Sequence, residues 1–224
     1  MQTTAVAAIA LVALLCSASA SGQVVTADTT LDLAALPPQD GWAIFNRTAE
    51  SHSEPGRETA VYLDEKSGQG VAWVPGLSFG DGVIEVDVRG RNTPGRSFVG
   101  LAFHGTRADQ YEAVYLRPFN FRAEDPDRRS HAVQYVAVPS HEWSRLRTNH
   151  PGQYEAAIAA PPDPDGWVHL RIELDGPSVR VFVDGAPEPT LAVDRIGTSE
   201  RGWVGLWVGS GSDGTFANLT LSPM

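Results

Sequence analysis

The sequence predicts an all-β domain, a sandwich or a barrel, on three observations. Segment 83–89 reads VIEVDVR, with Ile84, Val86 and Val88 alternating with Glu85, Asp87 and Arg89; this is the period-2 pattern of a strand with one face buried. Asp175-Gly176 and Asp184-Gly185 punctuate the alternating runs WVHLRIEL (167–174) and SVRVFV (178–183), and Asp-Gly between such runs is a strong hairpin signal. The only helical candidate is 140–154, and Pro151-Gly152 interrupts it.

The remaining strands follow at short spacing. Segment 60–63 (AVYL) is closed by the turn-prone 67–70 (SGQG), and 71–74 is ended by Pro75-Gly76. Segments 97–104, 110–117 and 131–138 are rich in Val, Phe and Tyr, the residues that fit a pleated surface. Segments 202–208 and 215–221 close the chain around the glycine-rich loop 209–214. About ten to twelve strands with turns every 8–12 residues are expected, without an internal repeat.

Residues 1–20 carry an apolar run, 5–15, followed by Ala18-Ser19-Ala20. This pattern predicts a secretory signal peptide cleaved after Ala20, hence a secreted or periplasmic protein. The apolar run is too short to span a bilayer, and no other segment suffices, so no membrane partner is expected. Cleavage removes the single cysteine, Cys16, leaving no internal disulfide or thiolate metal site and placing stability on the core. The expected organisation is signal peptide 1–20, an N-terminal arm and first strand region 21–58, and one β-domain over 59–224. The net charge of −10, from 27 acidic and 17 basic residues, argues against nucleic acid as the main partner.

Several stretches carry a family resemblance. WVHLRIELDG (167–176), VRVFVDG (179–185) and GWVGLWVG (202–209) followed by 216–219 resemble the back strands of laminin-G and concanavalin A-like domains. SFVGLAFHG (97–105) and YEAVYLRPFN (111–120) are similar to secreted bacterial proteins near the 3-keto-disaccharide hydrolase and family-16 glycoside hydrolase-like domains. The resemblance covers 59–221. It implies a two-sheet antiparallel jelly-roll sandwich of the concanavalin A-like type and a carbohydrate ligand or substrate; that fold hosts lectins, lyases and hydrolases alike.

Two segments are the main candidates for chemistry. Glu85, Asp87 and Arg89 share one strand face. The family-16 pattern E-x-D-x-E implies Glu85 and Asp87 as catalytic carboxylates, but Arg89 stands where the acid/base Glu belongs, and Arg cannot donate the proton at neutral pH. An ordinary solvent face is the competing explanation.

The second segment gathers Tyr115, Arg117, Asn120, Arg122, Arg128, Arg129, His131, Gln134 and Tyr135. Such arginines grip a carboxylate or sulfate, and a Tyr or His base beside them is the equipment of a polysaccharide lyase. His131 and Tyr115 are thus further catalytic candidates. Arg117, Asn120, Arg122, Arg129, Gln134 and Tyr135 are substrate-binding candidates, and the groove is expected where Tyr115, Arg117 and His131 meet. A loop pinned by ion pairs from Glu124, Asp125 and Asp127 to Arg122, Arg128 and Arg129 explains the cluster equally well.

Trp143 is either a sugar-stacking residue or a packing anchor. Loop 209–214 offers only Asp213 as a carboxylate, short of the six to eight oxygens Ca²⁺ takes, so a turn is expected there. The six histidines show no metal spacing, and no cofactor is expected. A hydrolase or lyase acting on a glycan, an acidic one among the candidates, is the first expectation. A carbohydrate-binding module is the alternative, and an adhesive domain the third.

Overall fold

The computed structural model describes residues 22–35, 43–74 and 76–224; the expected signal peptide and Pro75 lie outside them. In chain order the first strands are β1 (Gln23–Val24), β2 (Thr29–Thr30), β3 (Ala43–Phe45), β4 (Ala49–Glu54), β5 (Arg57–Lys66) and β6 (Gly70–Trp73). Then come β7 (Leu77–Ser78), β8 (Gly82–Arg89), β9 (Val99–Arg107), β10 (Gln110–Leu116) and β11 (Val133–Val138). Strands β12 (Glu155–Ala156), β13 (Trp167–Asp175), β14 (Ser178–Val183) and β15 (Leu191–Asp194) follow. The last two are β16 (Trp203–Val208) and β17 (Ser212–Pro223). The short helices α1 (Pro126–Arg129) and α2 (Trp143–Asn149) interrupt them.

These strands form a two-sheet antiparallel sandwich. One sheet has seven strands in the order β12-β11-β10-β9-β16-β6-β3. The other has the order β15-β14-β13-β8-β17-β5-β4, with β2 added against β17. The jelly-roll expectation is met. There are more strands than the ten to twelve expected, because β1, β2, β3, β7 and β12 are pairings of two or three residues, too short to leave a sequence pattern. Strands β3 and β4 of the expected N-terminal region pair with β6 and β5, one in each sheet.

The back sheet behaves as alternation demands. Along β13, Val168, Leu170, Ile172 and Leu174 are buried while Trp167, His169, Arg171 and Glu173 are half-buried on the outer face. Asp175 and Ser178 close the β13–β14 hairpin around Gly176-Pro177, one residue on from the expected Asp-Gly, and Gly176 takes the left-handed φ of 53° that the turn needs. In the seven-stranded sheet both faces are covered: β11 is buried at every residue and β10 at every residue after Gln110. Its inner face (Leu101, Val114, Leu116, Val133, Leu206) joins Ile84, Val86, Leu170, Ile172 and Phe216 in one core.

The helical candidate 140–154 contains α2, which ends before Pro151. No helix among the described residues is long and apolar enough to cross a membrane.

Candidate functional site

The outer face of the seven-stranded sheet is built on small residues. Across β10, β9 and β16, Tyr115 lies opposite Gly100 and Gly100 opposite Trp207. A Cβ at Gly100 would run into the Val114 carbonyl oxygen and come within 2.6 Å of Tyr115 Cα. Glycine therefore leaves room for the two flanking rings to stack over it, their centroids 4.6 Å apart and planes inclined by 23°. One row on, Ala113, Ala102 and Gly205 repeat the device. The Trp207 indole donates to Tyr111 Oη at 3.0 Å, and Tyr111 meets Trp73 edge to face at 5.3 Å.

Over this floor lies a groove of about 560 Å³ lined by Tyr115, Trp207, Phe98, Val136 and Val138. One wall is Gly68, Gln69, Gly209 and Ser210; the other is Glu142 and Trp143 at the start of α2. Trp143 is 47 % exposed, the most exposed aromatic side chain among the described residues.

The first wall is stapled from beneath by Arg47. Its buried guanidinium donates through Nη2 to the carbonyls of Gly68 and Gly209, both at 2.7 Å, and through Nη1 to Asn46 at 2.5 Å. Burial holds the Arg47 pKa below its ordinary value. Gly70 must be glycine because its Cβ would collide with Arg47 Cγ.

Behind Tyr115 sits a charged network. Arg117, only 4 % exposed, donates to Tyr115 Oη at 3.0 Å, to Gln134 Oε1 at 3.1 Å and to the His131 carbonyl at 2.8 Å. Glu155, on β12, is buried against Arg147 in a two-point contact (3.0 and 2.7 Å) and against His131 Nδ1 at 2.9 Å. Arg117 Nη1 approaches the same carboxylate at 3.9 Å. Burial drives the Tyr115 hydroxyl up to about 12 despite nearby Arg117. Burial also lowers Arg117, and burial, joined by the nearby Arg147 and Arg117 charges, holds His131 below its ordinary value against the pull of the Glu155 carboxylate.

Tyr115, Arg117 and His131 thus come together as expected, but as a support beneath the groove. The donors of Arg117 are spent inside the protein. Gln134 is fully used, accepting from Arg117 and donating to the carbonyls of Tyr135 and Tyr154, both at 2.9 Å. Asn120 is buried beside the His131 carbonyl. The expected ion pairs of the loop do not form among the described residues, because backbone oxygens claim the arginines. Arg129 donates to the carbonyls of Ala123 and Glu124, Arg128 to that of Phe119, and Arg122 to that of Pro161.

Tyr135 points the other way, into the core face, where its hydroxyl donates to Glu112. Glu112 is buried and also receives Arg195 Nη2 at 2.6 Å and faces His104 Nδ1 at 3.1 Å. Burial alone would raise the Glu112 pKa, but these hydrogen bonds outweigh it and hold the group below its ordinary value.

Glu85 and Asp87 lie on β8 of the opposite sheet. Asp87 is held by His169 Nδ1 (2.9 Å), Asn218 Nδ2 (2.8 Å) and Arg57 (3.0 Å), and Glu85 faces His169 Nε2 at 3.4 Å. Arg89 pairs with Glu54 at 2.8 Å, and the guanidinium groups of Arg57 and Arg89 lie over the Trp167 ring at 4.6 and 4.8 Å. The four catalytic candidates are therefore split: Tyr115 lies on β10 of the seven-stranded sheet with His131 in the turn just before β11, which begins at Val133 rather than at 131, while Glu85 and Asp87 lie on β8 of the other sheet. Asp213 is engaged by Tyr62 Oη and Arg91.

Sequence reasoning passed over Arg47, Glu155, Glu112 and Trp207, and placed Arg147 near Trp143 without its partner Glu155. Trp207 carried a signal, since GWVGLWV places it and Gly205 on one face of a strand. The charged residues carried none, because no spacing rule links them to their partners, which lie from 8 to 162 residues away.

No protein-family model and no curated protein sequence matches the chain. Solved structures do. The carbohydrate binding module CBM66 from Bacillus subtilis superposes with a TM-score of 0.57 at 18 % identity, covering 81 % of this chain and 96 % of that one. A native glycosidic hydrolase gives 0.55 at 13 % identity, over 91 % and 99 % of the two chains. The metal-free carbohydrate recognition domain of Emp46p gives 0.51 at 13 % identity, over 87 % and 95 %. At these identities the likeness is one of fold, and the fold is the concanavalin A-like sandwich.

Proposed function

We propose that this protein is a secreted, lectin-like carbohydrate-binding protein whose groove takes a neutral sugar. The observation that carries this reading is the stacked Tyr115–Trp207 floor facing the exposed Trp143 across the groove. Aromatic faces offer the flat apolar surface that a sugar ring's C–H face covers, while Gln69, Ser210 and Glu142 supply polar groups for its hydroxyls. The volume falls in the range of small-ligand sites. The solved carbohydrate-binding module of the same fold supports the reading, and segment 1–20 supports export.

The lining disfavours catalysis. Hydrolysis with retention needs two carboxyls about 5 Å apart, and among the described residues the lining provides Glu142 alone. Elimination needs a base, yet Tyr115 is pushed up to about 12 and stays protonated at neutral pH. His131 Nδ1 is committed to Glu155. Among the described residues the lining also holds no Lys or Arg, so neutral glycans replace the acidic sugars that the arginine-rich segment suggested.

Calorimetric titration with neutral and uronate-containing oligosaccharides tests this, with reducing ends and unsaturated products monitored in parallel. Binding of a neutral glycan without product formation is expected. Turnover, or tighter binding of the uronate, would overturn the proposal.

A further inference from the structure

Trp143 stands in the groove wall at the start of a short helix with few anchors of its own. Helix α2 is seven residues long, with Leu146 as its one buried side chain and no side-chain cap at Glu142. Two turns of helix do not persist in water by themselves. Something must fix this one against the sheet.

Residues i and i+4 of a helix share a face, so Trp143 and Arg147 are neighbours. The Arg147 guanidinium lies over the Trp143 ring, 5.0 Å from its centroid. The same guanidinium makes the two-point contact with Glu155, at 3.0 and 2.7 Å. Glu155 is rigidly placed: it belongs to β12, paired with Gln134 of β11, and its side chain is 4 % exposed between Arg147, His131 and Arg117. The planar fork of Arg matches a carboxylate geometrically, which a single ammonium does not. The chain of contacts therefore runs from the sheet edge through Glu155 and Arg147 to the indole, ending on one ring face and leaving the rest of a half-exposed ring for the groove.

We infer that Arg147 and Glu155 are a positioning pair that preorganises Trp143 for the ligand of the proposed site. The inference rests on the carbohydrate-binding reading only for its effect on affinity; the effect on Trp143 stands without it. A wall held in place before binding spares the ordering cost of a mobile aromatic side chain.

The test uses protein labelled with 5-fluorotryptophan, the Trp143 resonance being assigned by its loss in Trp143→Phe. Arg147 is partly exposed and Glu155 keeps His131 Nδ1 at 2.9 Å, so Arg147→Met removes the fork without emptying a core position. In ligand-free Arg147→Met the Trp143 ¹⁹F signal is expected to move toward the value of a solvent-exposed indole. Affinity is expected to fall about fivefold for the tightest binder among maltohexaose, cellohexaose, laminarihexaose and mannohexaose. Arg147→Lys, which keeps a cation but loses the fork, is expected to restore part of both. An unchanged Trp143 signal in Arg147→Met overturns the inference whatever the affinity does. A displaced signal supports it, and if affinity is then unaltered in both Arg147→Met and Trp143→Ala, it is the carbohydrate reading that fails.

Discussion

Replacing Arg47 with methionine should loosen one whole wall of the groove while leaving the sandwich folded. Methionine retains an apolar stem of similar reach but none of the donors. The carbonyls of Gly68 and Gly209 each lose a charge-assisted partner at 2.7 Å. Hydrogen bonds to charged groups contribute about 1.5–3 kcal/mol each. Removing a buried guanidinium, whose pKa burial already lowers, relieves desolvation and offsets part of the loss, so the lower end of the range applies. Two such bonds give about 3 kcal/mol, or roughly 6–12 °C in Tm for a domain of this size. The wall keeps weaker ties, the Gly68 amide donating to Ser210 Oγ at 3.0 Å and the Gly211 amide to the Lys66 carbonyl at 2.9 Å. The loops should therefore open locally rather than unfold. Scanning calorimetry and hydrogen exchange read the two effects, with faster exchange confined to 68–70 and 209–211. A Tm within about 2 °C of the parent, with unchanged exchange there, would refute the staple.

Two further outcomes concern the other charged clusters. Glu112→Gln removes the negative charge that faces buried Arg195 and should cost about 3–5 kcal/mol at pH 7 by guanidinium denaturation. The Glu112 pKa is lowered in the fold, so its contribution is present above the unfolded value of about 4.3 and disappears as pH falls through the folded one; parent and variant should converge in acid. On the back sheet, the hydrogen bond to Asp87 is the main cause raising His169. A raised histidine stabilises fully below its unfolded value of about 6.5 and loses that contribution as pH rises through the folded one. The stability of the parent should therefore decline relative to His169→Gln between about pH 6 and 8, by less than about 1 kcal/mol because the pair is part-exposed. Parallel curves would remove the pair from the account.

How far the sequence carried depended on which faces meet water. The back sheet was legible because β8 and β13 keep one face solvated, so Ile84, Val86 and Val88 alternate visibly with Glu85, Asp87 and Arg89. Strand β11 is buried on both faces, which erases alternation and hides the fact that Val136 and Val138 line a groove. The arginine-rich segment was visible as a departure from composition, and Tyr115, Arg117 and His131 do converge. Composition could not say that Arg117 would spend its donors on Tyr115, Gln134 and a carbonyl, since that depends on burial created by β12 and α2. Arg47 and Glu155 are single charges in unpatterned stretches, and their partners lie 21 and 162 residues away for Arg47 and 8 for Glu155. The glycines of the floor were readable in part: Gly205 and Trp207 alternate in GWVGLWV, but the opposing Gly100 required the register.

Titration of a neutral oligosaccharide panel into the parent protein and Trp143→Ala, with products monitored, tests the central claim most directly. A neutral glycan is expected to bind the parent, Trp143→Ala to weaken it about tenfold, a loss of about 1.4 kcal/mol, and no reducing ends or unsaturated products to accumulate. Equal affinity in the two proteins, or steady product release by the parent, would contradict it.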